Sequence, residues 1–123
     1  MDGKFVPEVF SYAGIDKENI PLYGEGGAIT RYDNAYFRSQ TGNLVIISLA
    51  FGVTDQIASD SPIMYFNSYT GQPNSNVYGT FVNQNGTCTS VYLGNSNGTW
   101  QVYNSAVMAA GMWRGFILFT VNV

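Results

Sequence analysis

The stretch VYGTFVNQNGTCTSVYLGNSNGTWQVY, residues 77–103, decides the fold. Three runs rich in β-branched and aromatic residues, 77–82, 87–93 and 99–103, are separated by Asn85-Gly86 and Asn97-Gly98. Asn-Gly is the favoured pair for a tight hairpin because both residues tolerate positive φ. The stretch therefore predicts an antiparallel meander of three short strands. Both sites also match the Asn-x-Thr glycosylation pattern, but turn chemistry accounts for them without a modification.

Outward from the meander, the strand signals continue. Leu44–Phe51 and Trp113–Val121 are the longest, and shorter ones occupy Ala28–Tyr32, Ala35–Gln40 and Ile63–Asn67. The only helical signal is a single turn over Ile15–Asn19, with Asp16 as its cap. About eight short strands at this spacing predict an all-β domain, an antiparallel β-sandwich or jelly-roll-like head, over residues 28–123. Residues 1–27, with Pro7, Pro21 and a Gly24-Glu25-Gly26-Gly27 run, read as an N-terminal arm or connector.

The two long strands are unusual. Leu44–Phe51 is apolar at both parities, and in Trp113–Val121 Arg114 is the lone charge between apolar neighbours. A sheet with one wet face alternates apolar with polar. Strands apolar on both sides need two cores, and a single sandwich offers one. The second core is expected between copies of the chain, the alternative being that both strands run centrally beneath loops. Were Arg114 buried there, its guanidinium would need a carboxylate, carbonyl or ligand partner.

Composition removes several function classes. In 123 residues there are five Lys and Arg against eight Asp and Glu, a net charge of −3. No basic cluster exists to neutralise phosphates, which argues against nucleic acid and against an anionic membrane surface. No run of about 20 apolar residues is present for membrane insertion. Histidine is absent and Cys88 is the single cysteine, which excludes an internal disulfide, a Cys/His zinc site and a His-based catalytic pair. Within its strand, Cys88 is expected to be a small buried residue. No cofactor and no metal site is expected.

The halves differ sharply. Every carboxylate lies at or before Asp60, and Arg114 is the only charge from Ser61 to Val123. A surface built on Asn, Ser, Thr, Gln and Tyr is either buried between subunits or shaped to meet a neutral polar ligand such as a sugar. Sugar recognition takes a flat aromatic face for the C–H side of the ring, with amides and hydroxyls for its OH groups. Two segments supply these. Tyr65, Asn67 and Tyr69 share one strand parity, and Trp100, Gln101, Tyr103 and Asn104 follow the second Asn-Gly turn. The Thr70–Asn76 loop adds amides at a rim. Trp100 is expected near a sandwich edge, and Trp113 in the core. A glycosidase would need two carboxylates set about 5–10 Å apart. The pairs Asp16/Glu18 and Asp55/Asp60 read as solvated loop acids, so no enzyme is expected.

These residues resemble a known family. Thr41-Gly42-Asn43 leading into the Leu44 strand, Asn95-Ser96-Asn97-Gly98, and Trp113-Arg114-Gly115 in the closing strand are similar, in order and position, to the C-terminal heads of tailed-phage receptor-binding proteins of Gram-positive hosts. The resemblance covers about residues 28–123. It implies a homotrimeric head at the phage tail tip, part of the virion, that attaches to a cell-surface saccharide of a bacterial host. Release by lysis would then account for an N-terminus without a secretion signal. Some members build the sugar pocket from His and Asp beside Trp and Arg. Only Trp100 or Trp113 and Arg114 carry over here. Two other readings fit the same residues: a bacterial carbohydrate-binding or adhesin module, and a ligand-free trimerisation knob.

Overall fold

The computed structural model describes residues 10–12, 20–39 and 42–122, and the Ile15–Asn19 turn lies outside them. Eight strands follow in order: β1 (Phe10–Tyr12), β2 (Ile29–Ser39), β3 (Leu44–Ile57), β4 (Pro62–Tyr65), β5 (Tyr78–Asn83), β6 (Cys88–Ser96), β7 (Thr99–Asn104) and β8 (Met108–Thr120). The domain is all-β and antiparallel, with spatial order β1-β2-β3-β8-β5-β6-β7-β4. It is sandwich-like through the curl of one continuous sheet. Strand β6 makes the corner: Cys88–Ser90 pair with β5, and Val91–Ser96 pair with β7.

The long strands extend beyond their sequence signals because they pair with each other throughout, from Leu44↔Thr120 to Ile57↔Met108. The two short signals before residue 40 merge into β2. A bulge at Tyr32, where the register shifts between Arg31 and Asp33, bends that strand. It also turns both Arg31 and Asn34 inward.

The two Asn-Gly sites fold differently. Asn97 and Gly98 both take positive φ, 52° and 86°, giving the two-residue turn that joins β6 to β7. At the other site only Gly86 is positive, at 83°. There Asn83 Oδ1 accepts from the backbone N–H groups of Asn85 and Thr87, holding a three-residue loop.

One face of the curled sheet makes the core. Val45, Ile47, Leu49, Phe51 and Val53 alternate inward from β3, and Trp113, Ile117 and Phe119 from β8. They meet Ile63, Met64, Phe66, Val91 and Val102 of the opposing layer. Phe66 sits edge-on to Phe119 at 4.9 Å, and Phe51 edge-on to Phe81 at 5.4 Å. Ile20 and Leu22, ahead of β2, also enter this core. Full burial of each large side chain contributes about 1.5–3 kcal/mol. Trp113 is fully buried, with its indole N–H donating to the Ala109 carbonyl.

The outer parity of the same strands is left largely open by the described residues. Phe116 on β8 is 42% exposed, and Tyr78 and Val82 on β5 are 61% and 38% exposed. Arg114 lies on this open face. Its guanidinium is exposed in the single chain, where Nη2 lies 3.7 Å from Met112 Sδ. Cys88 is exposed, not buried. Val91 fixes the inward parity of β6, so Thr89 takes the buried place and Cys88 faces out.

Candidate functional site

At the turn end of the β6–β7 hairpin, Trp100 is 38% exposed. It shares a face with Val102, which pairs with Leu93, so Leu93 and Trp100 are diagonal neighbours across the two strands. Pro73, Asn74, Ser75 and Asn76, from the loop before β5, close the other side of a cleft of about 440 Å³. That volume falls within the range of small-molecule sites, roughly 300–1,000 Å³. No lining residue is charged.

The rim is held in place. Pro73 bridges to Val121, and the Asn74 backbone N–H donates to the Thr120 carbonyl at 2.9 Å. The Asn74 side chain bonds with Thr120 and with Asn122, and the Ser75 hydroxyl lies 3.1 Å from Thr120 Oγ1. Asn76 has no hydrogen bond through its amide among the described residues. The cleft thus combines an aromatic face, an aliphatic neighbour, a pre-positioned rim and a free amide. Such a set receives a ring with one apolar side and hydroxyls at its edge.

The other residues singled out from sequence do not converge on this cleft. Tyr65, Gln101 and Tyr103 lie together on the outer face of the β4-β7-β6 layer. Gln101 Nε2 donates to the Tyr23 hydroxyl at 2.6 Å, and the Tyr103 hydroxyl donates to Gln101 Oε1. Tyr103 stacks on Tyr92 at 5.5 Å and 17°, and Tyr65 tilts against Tyr23 at 5.1 Å. At the end of this chain, the Tyr92 hydroxyl donates to Asp60 Oδ1 at 2.7 Å. That hydrogen bond first, then desolvation and the charge of Asp60, raise the Tyr92 pKa above the ordinary tyrosine value.

Asn104 is fully buried and braces three backbone groups: its amide donates to the Ala58 and Ala106 carbonyls and accepts from the Ser61 N–H. Asn67 forms a turn, its Oδ1 accepting from the N–H groups of Tyr69 and Thr70. Tyr69 packs against Tyr36. Arg114 borders two small depressions on the opposite layer, of about 150 and 120 Å³. Of the eight residues, Trp100 alone lines the large cleft. Leu93 was not singled out, although its cross-strand relation to Trp100 follows once the second Asn-Gly turn is taken as a two-residue hairpin.

Among the described residues, no three His, Cys, Asp or Glu side chains group as metal ligands, and no helix is long and apolar enough to cross a membrane. In comparison with known proteins, no family model, no curated protein and no solved structure matches this chain.

Proposed function

We propose that this protein is a non-enzymatic receptor-binding head of a phage tail, homotrimeric, that attaches to a neutral saccharide on a bacterial surface through the Trp100 cleft. The carrying observation is the cleft itself: a half-open indole facing a Pro73–Asn76 rim of amides and a hydroxyl, with no charge in its lining. A pyranose stacks its C–H face on Trp100, and its hydroxyls exchange bonds with Asn76 and the rim. Gln101 and Tyr103 act one step away, bracing the layer on which Trp100 stands. The phage assignment draws its support from the resemblance of the ordered turn and strand motifs.

The test is a glycan array carrying neutral and amino sugars, together with purified wall polysaccharide of Gram-positive bacteria. The wild-type chain is expected to be retained, and Trp100→Ala to lose at least tenfold in affinity, with an unchanged melting temperature. Equal retention of both proteins would overturn the site. No retention of the wild type on any surface would favour a ligand-free structural knob.

A further inference from the structure

We infer that the open face of β2-β3-β8-β5 is a self-association surface whose occupant is a second copy of this chain, registered by Asp33 and Arg114. This deepens the homotrimeric part of the proposed function and uses none of the cleft residues.

The strand registers lay out the face in rows. Phe37, Ile46, Leu118 and Tyr78 align across the four strands, followed by Ala35, Ser48, Phe116 and Thr80, and then by Asp33, Ala50, Arg114 and Val82. Tyr32, 56% exposed, lies over Gly52, which pairs with Met112. With aromatic side chains offering about 150–250 Å² each, the five most exposed residues, Tyr32, Tyr78, Phe116, Val82 and Met112, leave on the order of 450 Å² of mainly apolar surface open. A patch of this size is on the scale of the largest on a typical monomer, about 300–600 Å², and such patches are often functional. It is more than half of the roughly 800 Å² that each partner contributes to a stable interface. The partly buried Phe37, Leu44, Ile46 and Leu118 extend it.

The charges point to a copy of the same chain as the occupant. Asp33 on β2 and Arg114 on β8 flank β3, two strand spacings or about 10 Å apart. Among the described residues neither has an ion-pair partner, whereas Arg31 is paired with Glu25. The floor between them is made of small side chains, Ala35, Ser48, Ala50 and Gly115. With β3 nearest a three-fold axis, the β2 side of one copy meets the β8 side of the next. Arg114 then faces a neighbour's Asp33 at every contact. The small residues let the sheets approach, and the charges fix the register.

The experiment is sedimentation of the full chain at micromolar concentration. Wild type is expected at about three times the 13.5 kDa of one chain. Phe116→Asp places a charge in the apolar row and is expected to sediment as a monomer. Arg114→Asp and Asp33→Arg each set like charges opposite one another and should raise the dissociation constant at least tenfold. The double swap, Asp33→Arg with Arg114→Asp, restores association. These residues face solvent in the single chain, so melting of the dissociated variants reports folding separately. A monomeric wild type overturns the inference, as does an oligomer that all of these variants leave unchanged. A dimer dissolved by the same substitutions supports the face and overturns the three-fold arrangement. Loss of glycan retention with association intact would sink the cleft alone.

Discussion

Replacing Gly115 by Ala tests the packing that carries β8 into the rim of the cleft. A Cβ at residue 115 would lie 2.0 Å from the Thr80 carbonyl oxygen and 2.8 Å from Phe81 Cα, whereas real Cβ contacts stay beyond 3.0 Å. Both obstacles are backbone atoms, so no rotamer change relieves them. β5 would have to move away from β8 by about 1 Å, straining the ladder from Tyr78↔Leu118 to Asn83↔Trp113. Overpacking costs about 1–3 kcal/mol. Each weakened ladder bond adds about 1 kcal/mol, and the lower backbone entropy of Ala returns some of this. The net loss is about 3 kcal/mol, or roughly 12 °C in Tm for a domain of this size. The control is Gly94→Ala, where the obstruction is the Tyr103 ring, a side chain that can swing aside. Its cost lies at the low end of overpacking, about 1 kcal/mol. The assay is thermal unfolding followed by near-ultraviolet circular dichroism. A Gly115→Ala protein melting within about 3 °C of wild type, or no lower than Gly94→Ala, would refute the close approach of β5 and β8.

Other substitutions probe separate parts of the structure. Glu25→Gln removes the negative charge and one of the two acceptor oxygens facing Arg31, whose side chain is 1% exposed, leaving it a single neutral amide oxygen beside the Ile20 carbonyl and Asn34. Glu25 is itself 37% exposed. The expected loss is therefore about 1–2 kcal/mol, below the cost of breaking a fully buried pair, and is read from urea unfolding. Asp60→Asn should bring the Tyr92 ionisation down toward the usual value of about 10, because the carboxylate both accepts its hydrogen bond and repels the phenolate. Carbon NMR of the tyrosine Cζ signals through alkaline pH checks this, and an unmoved Tyr92 would break the assignment. Asn tolerates the positive φ of 59° at residue 60, so the change isolates charge from backbone strain.

The sequence carried the fold further than the site. β-branched runs and Asn-Gly pairs located the strands, because local chemistry dictates both extended backbone and positive φ. Strand ends were less visible: β3 and β8 are long because each supports the other, and that pairing is non-local. The bulge at Tyr32 has no Gly or Pro to announce it. The orientation of Cys88 was legible from Val91 and Leu93, whose parity sends Thr89 inward. Trp100 was recognisable as a hairpin-end aromatic and Trp113 as a core residue. Tyr65, Asn67, Tyr69, Gln101, Tyr103 and Asn104 share with sugar-binding residues the same hydroxyls and amides. Here those groups bond to one another and to the backbone. Residue type alone does not separate these uses; only tertiary placement does.

The most direct measurement is a proton–nitrogen NMR titration of the indole signals with purified wall polysaccharide. The chain has two tryptophans, one half-open at the cleft and one sealed in the core with its N–H on the Ala109 carbonyl. The Trp100 indole signal is expected to move along with the Asn76 amide, while the Trp113 signal stays fixed. A saturable interaction that leaves Trp100 unmoved and shifts only Arg114 and its neighbours would contradict binding at the cleft.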